Sequence, residues 1–419
     1  MTTRFAYKWV ALSNTTLGVL IATVNATSIL IAMPVIFRGI QINPLDPANF
    51  SYLLWLLMGY MVVSAVLVVT AGRVGDMFGR ARIYNYGFAV FTVAAVGLSL
   101  VWSQGSAGAL ELIVLRMVQA VGGAMMMATS AAILTDAFPP SQRGLALGIN
   151  MMAAMAGSFL GIVVGGILAG FNWRWIFIVN IPIGVIGTVW AFRKLRDTGP
   201  RRRARIDWIG NLTFAAGLAM LLVGVTSGLR PYGGSPMGWT NPFVIGMVAG
   251  GLVVLALFVL WETRIDEPMF HLDLFKIRAF TAGNLAGLLA AVGRGGLQFM
   301  LVIWLQGIWL PLHGYDYTQT PLWAGIYMLP LTVGFLAAGP LSGALSDRFG
   351  ARPFATGGML LAAVSFGLLM LIPADFAYPV FAAVIFLNGA SMGLFASPNT
   401  AAIMNSVPAG PAAWRPACA

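Results

Sequence analysis

From about residue 10 the chain is written in long apolar runs separated by short polar punctuation. The runs cover roughly residues 10–36, 50–70, 83–103, 108–134, 144–170, 175–192, 208–229, 242–261, 281–310, 322–345, 354–373 and 377–404. Each is close to or above the ~20 residues that carry a helix across a bilayer. None shows the short alternating pattern of a barrel strand. The pattern therefore predicts an all-α membrane protein with twelve transmembrane helices. The first run is too long for a signal peptide and has no small-residue cleavage site, so it reads as a retained span.

Composition agrees. Of 419 residues, 59% are hydrophobic and 9% charged, with a mean hydropathy of +0.86. A soluble domain carries about 25% charged residues. The positive charges sort by side. With the N-terminus inside and the loops alternating, nineteen of the 24 Lys and Arg fall in inside segments, three outside and two within spans. That bias sets the orientation, with both termini inside, and it accounts for the net charge of +11. Facing anionic lipid, the cluster RRRAR at 201–205 reads as a cytoplasmic linker and not as a nucleic-acid patch.

Several chemistries drop out. There is one cysteine, Cys418, and two histidines, His271 and His313, in loops on opposite sides. No metal centre is expected from them, and no cofactor. Three lysines and no GxxxxGK[ST] loop argue against ATP chemistry. GASMG at 389–393 falls in a span with no histidine partner, so it is no nucleophile elbow and no enzyme is expected.

The polar punctuation repeats. GRVGDMFGRAR at 72–82 returns as GALSDRFGAR at 343–352, so that Gly72, Asp76 and Gly79 match Gly343, Asp347 and Gly350. SAAILTDAFP at 130–139 returns as TAAIMNSVP at 400–408. Two halves on one plan, each crossing several times, point to a transporter with its site at the repeat interface. In the loops, glycines allow tight turns and close helix contact. Asp76 is placed to cap the next helix or to pair with an arginine, and Asp136 is a candidate partner for Arg80. The expectation is a pair of cytoplasmic gates built from Gly72, Asp76, Gly79, Arg80, Arg82 and Asp136 in the first half. The second half supplies Gly343, Asp347, Arg348, Gly350 and Arg352.

These loops resemble those between the second and third helices of each half in the major facilitator superfamily, within it the drug:proton antiporter branch with fourteen helices. RMVQAVGGA at 116–124 resembles the fourth-helix motif, with Arg116, Gln119 and Gly122 in place and Ala120 where glycine is usual. GSFLGIVVGG at 157–166 resembles the antiporter motif of the fifth helix through Gly157, Gly161, Gly165 and Gly166, with Ile162 in place of the usual proline. WRWIFIVNIPIG at 173–184, DWIGN at 207–211 and the link 262–280 are similar to features of the same branch. The resemblance implies export of small molecules by alternating access, coupled to protons. Its expected partners are a small-molecule substrate, protons and the lipid bilayer, and a multi-pass monomer is expected; the excess of arginine over lysine, 21 to 3, points to a GC-rich bacterial genome and so to the bacterial cytoplasmic membrane.

Two departures refine this. Asn25 stands where the family usually carries an aspartate, and none of the thirteen Asp and Glu falls at mid-span. Arg116 and Arg294 do lie within spans, one in each half. A charge there costs about 2.5–3.5 kcal/mol or more, so it marks a cavity, here a net positive one suited to neutral, zwitterionic or anionic substrates. In VGRGG around Arg294 the glycines are expected to interrupt the helix. Asn25, Gln119, Gln298 and Gln306 would add polar contacts and Trp304 would line the cavity. The missing carboxylate also fits a facilitator or importer without proton exchange. Second, after Pro408 the repeat plan breaks off in AGPAAWRPACA. The expected organisation is a six-helix bundle over 1–195, a linker and central helix pair over 196–279, four of six helices over 280–407, and an aberrant tail over 408–419. A truncated, non-transporting membrane protein is the third reading.

Overall fold

The computed structural model describes residues 2–43, 46, 49–139, 142–199, 206–235, 237–265, 268, 270, 272–316, 319–373 and 375–406. The 408–419 tail, the 201–205 cluster, His271 and the side chain of Asp347 lie outside what it describes. Among the described residues, twelve helices are long and apolar enough to cross a membrane: α1 Tyr7–Gly39, α2 Ser51–Phe78, α3 Arg80–Ser99, α4 Gly105–Ala137, α5 Ala146–Phe171, α6 Trp175–Lys194, α7 Trp208–Gly228, α8 Pro242–Glu262, α9 Arg278–Leu312, α10 Thr320–Ser346, α11 Ala351–Leu371 and α12 Tyr378–Ile403. The expected count of twelve is met. In hydrocarbon every backbone polar group needs a partner within its own segment, which the helix supplies.

Proline accounts for two interruptions. In α6 the helix restarts at Asn180, and in α10 at Leu329. Pro182 and Pro330 have no N–H to give to the carbonyls of Ile178 and Ile326, so each ladder breaks just upstream. The glycines around Arg294 do not do this. Contrary to expectation the helix runs unbroken from Arg278 to Trp304, and the irregularity comes later, as a π turn over Leu305–Trp309. Glycine weakens a helix by about 1 kcal/mol, but it keeps its N–H and does not break the ladder.

The chain forms two compact units, Met1–Phe270 and His271–Ala419. In the first, α1 packs along α5, α4 lies between α2 and α3 and also touches α1, and α3 packs on α6. Its core gathers Ile21, Tyr84, Phe88, Phe91, Met126 and Ile133. The α7–α8 pair packs on α2 and is tied there by side chains: Thr70 to Asn211, Arg73 to the carbonyl of Pro268, and Arg230 to Ser51. Asp207 caps α7 by accepting from the Gly210 amide at 2.8 Å, and Trp261 of α8 donates to the same carboxylate at 3.0 Å.

In the second unit α12 packs against α10, α11 and α9, as α4 packs against α2, α3 and α1. Small residues let backbones touch: a Cβ on Gly393 would sit 2.6 Å from the carbonyl of Phe335, and Ser342 donates to the Gly393 carbonyl at 3.1 Å.

Candidate functional site

The centre of the first unit holds a charge. Arg116 on α4 is 1% exposed, and Asn25 on α1 and Gln119 on α4 are fully buried beside it. Its Nη1 donates to Asn25 Oδ1 and, at 2.6 Å, to Gln119 Oε1. The guanidinium carbon lies 4.3 Å from the ring centre of Tyr60 on α2, close enough for cation–π attraction. No ion pair reaches Arg116 among the described residues. A buried cation is ordinarily matched by an acid, whereas here every partner is neutral.

The local sequence explains the placement. Gly122 lets α3 and α4 meet, since a Cβ there would sit 2.5 Å from the Gly87 carbonyl oxygen and 2.5 Å from the Phe91 nitrogen. Gly123 leaves room for the Tyr60 hydroxyl, 2.5 Å from where its Cβ would be. About two turns beyond the arginine, the motif is thus a packing device that aims Arg116 at α1 and α2.

The fifth-helix glycines also act on α1. A Cβ on Gly161 would sit 2.5 Å from the Val24 carbonyl, and one on Gly165 2.6 Å from the Ser28 Cα. A Cβ on Gly157 would strike the Thr23 hydroxyl. Ser28 donates to the Gly161 carbonyl at 2.9 Å, and Gly166 is buried. This face clasps the helix that carries Asn25.

At the end of the unit where α2 turns into α3, Arg80 is held by two acids. It reaches Asp76 Oδ1 at 2.7 Å through Nη2 and Asp136 Oδ2 at 2.8 Å through Nη1. Gly79 turns the chain with φ +112°, a conformation that favours glycine. Gly72 has nothing within 4 Å of a built Cβ, and Arg82 is exposed. Sequence reasoning missed one member. Asp197, just after α6, accepts from the Ala81 amide at 2.7 Å and caps α3. The Tyr7 hydroxyl fixes that segment by donating to the Arg196 carbonyl at 2.7 Å. Asp197→Ala is expected to cost about 1 kcal/mol locally, read as about fivefold faster hydrogen exchange over the first turn of α3. Unchanged exchange there would refute the cap.

The second loop is built differently. Gly350 repeats the turn with φ +86°, and Gly343 sits against Ser397, whose Oγ would lie 2.8 Å from its Cβ. Arg348 and Arg352 are exposed and form no ion pair among the described residues. Aligning the repeats shows the reason: Ala351 occupies the place of Arg80, and Ser406 that of Asp136. The alignment contained this signal.

The second unit holds the remaining candidates, all on α9. Arg294 is exposed and has no hydrogen-bond or ion-pair partner among the described residues; its neighbours Gly295 and Gly296 have nothing within 4 Å of a built Cβ. Gln298 is half-buried and Gln306 is buried in the π turn. Trp304 packs edge-on to Phe376 at 5.1 Å, and Trp309 stacks on Phe376 at 4.8 Å. Trp304 is therefore part of an aromatic core. π turns recur at functional sites, and this one carries the buried Gln306.

Comparison with known proteins supplies the frame. The family profile described as Major Facilitator Superfamily matches residues 15–413. The chain is 29% identical to the riboflavin transporter RibZ of Clostridioides difficile (strain 630) over 403 residues, 96% of this chain and 82% of that protein. It is 28% identical to the tetracenomycin C resistance and export protein of Streptomyces glaucescens, covering 96% of this chain and 70% of that one. It spans 55% of the length of one further relative, an uncharacterized MFS-type transporter of Mycobacterium tuberculosis to which it is 31% identical. The fold is similar to the xylose transporter XylE from E. coli in a partially occluded inward-open conformation, with TM-score 0.62 and 13% identity over 96% of this chain and 87% of that one. With its repeated helices, its loop motif and its arginine-bearing fourth span, the chain belongs to the major facilitator superfamily, a family of membrane transporters and not of enzymes.

Proposed function

We propose that the chain is a secondary active transporter of the fourteen-helix drug:proton antiporter branch. It exports small organic molecules across the bacterial plasma membrane by alternating access, acting as a monomer. The observation that carries this is Arg116, a buried charge held between three spans, which a purely structural bundle would not retain. The Arg80 cluster is the cytoplasmic lock in this reading, and Arg294, Gln298 and Gln306 are further polar contacts for substrate. The proposed parts are a bundle over 1–195, a linker and helix pair over 196–279, and a second bundle over 280–407. Resistance and export among the relatives support the direction.

A specific observation favours a second reading. The group facing Arg116 is the amide of Asn25, which exchanges no proton, so transport without proton coupling fits the same site. Proteoliposomes loaded with riboflavin or a fluorescent dye separate the two. Export is expected to rise at least about threefold when an inward proton gradient is imposed. Equal flux with and without the gradient establishes a facilitator, and no flux of any probe defeats the transport reading.

A further inference from the structure

Arg116, Asn25 and Gln119 form a set of donors with no acceptor left over. A guanidinium has no acceptor atom, so each amide must turn its oxygen toward it. That fixes both amides and sends their NH2 groups outward. Asn25 Nδ2, Gln119 Nε2 and Arg116 Nε are all sealed from solvent, and none has a hydrogen-bond partner among the described residues. One full positive charge and three unmatched N–H donors thus sit together, with no ion pair to Arg116 among the described residues. An unmatched buried donor is costly, and a charged one more so. The ring of Tyr60 covers one face of the guanidinium and supplies no σ-acceptor to it. A small anion at the free edge of the guanidinium would meet the Nε–H and the positive charge that the two neutral amides leave unmatched.

We propose that the Arg116–Asn25–Gln119 cluster is a binding site for a monovalent oxyanion or halide: the carboxylate of an organic substrate, or a free inorganic ion. The bond is charge-assisted from the arginine, which the two amide oxygens hold in place. As a substrate subsite it rests on the transporter reading above. As an anion site it does not, because binding is measurable without flux. It gives Asn25 a role of its own. An aspartate at that position would supply the negative charge internally and occupy the site, whereas asparagine fixes the arginine and leaves its charge for a ligand.

The test is thermal unfolding of the purified full chain in detergent at fixed pH. Sodium chloride or sodium acetate replaces sodium HEPES at constant ionic strength. The parent is expected to show a rise in midpoint of about 2 °C or more that grows with the logarithm of anion concentration. Arg116→Gln should lose that rise. Asn25→Asp should start from a higher midpoint and show no anion-dependent rise, because its own carboxylate fills the place. A rise with acetate alone assigns the site to a substrate carboxylate, a rise with chloride alone to an inorganic ion, and a rise with both to the shared chemistry. If the parent shows no rise, or Asn25→Asp keeps the parent's full response, the proposal is overturned. The second variant decides the matter even where Arg116→Gln does not fold. A flux assay that fails beside a positive binding result removes the transport reading and leaves the anion site standing.

Discussion

Gly122→Ala is expected to lower the unfolding midpoint by about 3–5 °C, corresponding to about 3 kcal/mol. The added methyl carbon would sit 2.5 Å from both the Gly87 oxygen and the Phe91 nitrogen, and 3.0 Å from the Phe91 Cα. These are backbone atoms of a neighbouring helix and cannot rotate out of the way. Relief requires α3 and α4 to part, which opens the core around Phe88, Phe91 and Met126. Gly148→Ala is the matched control, because nothing lies within 4 Å of its built Cβ. There the better helix propensity of alanine should leave the midpoint level or raise it slightly. If the two variants unfold within about 1 °C of one another, the close approach of α3 and α4 is wrong.

The second large effect concerns the loop cluster. Arg80→Ala leaves Asp76 and Asp136 facing one another without the cation that joins them. The side chains involved are 24%, 37% and 17% exposed for Arg80, Asp76 and Asp136, so solvent softens the loss. A bias of about 1–3 kcal/mol between conformations is still a factor of about 5–150. If the cluster acts as the proposed lock, transport is therefore expected to fall about tenfold or more. Arg352→Ala in the repeated loop, where no ion pair forms among the described residues, should change transport less than about twofold. Equal losses in the two variants would mean that the asymmetry of the loops has no functional weight.

Much of this was legible because charge is scarce in the chain. With 9% charged residues, an aspartate and an arginine near the ends of adjacent spans have few alternatives, and Asp136 did meet Arg80. The repeat and the helix count were legible because length and hydropathy alone set a membrane span. Asp197 was not. It sits 116 residues from the amide it caps, in a linker where an acid usually means solvent. The meeting of Asn25 with Arg116 needed the rotation of two helices about their axes, which apolar periodicity fixes poorly when lipid and core are equally oily. The π turn was hidden for a similar reason. It accompanies the stacking of Trp309 on Phe376, a contact from 67 residues further along the chain. The glycines beside Arg294 invited a break and none occurred, because glycine lowers helix stability without removing a backbone donor.

The bonds that fasten α7 and α8 to α2 have a mechanical consequence. Ser51 lies near one end of α2 and Thr70 and Arg73 near the other, and all three are tied to the pair. A helix stapled at both extremities cannot tilt or slide alone, so α2 must carry two further spans as rigid ballast. Each such displacement shears a larger perimeter of acyl chains. The speed of this unit's motion is thereby tied to the fluidity and thickness of the surrounding lipid.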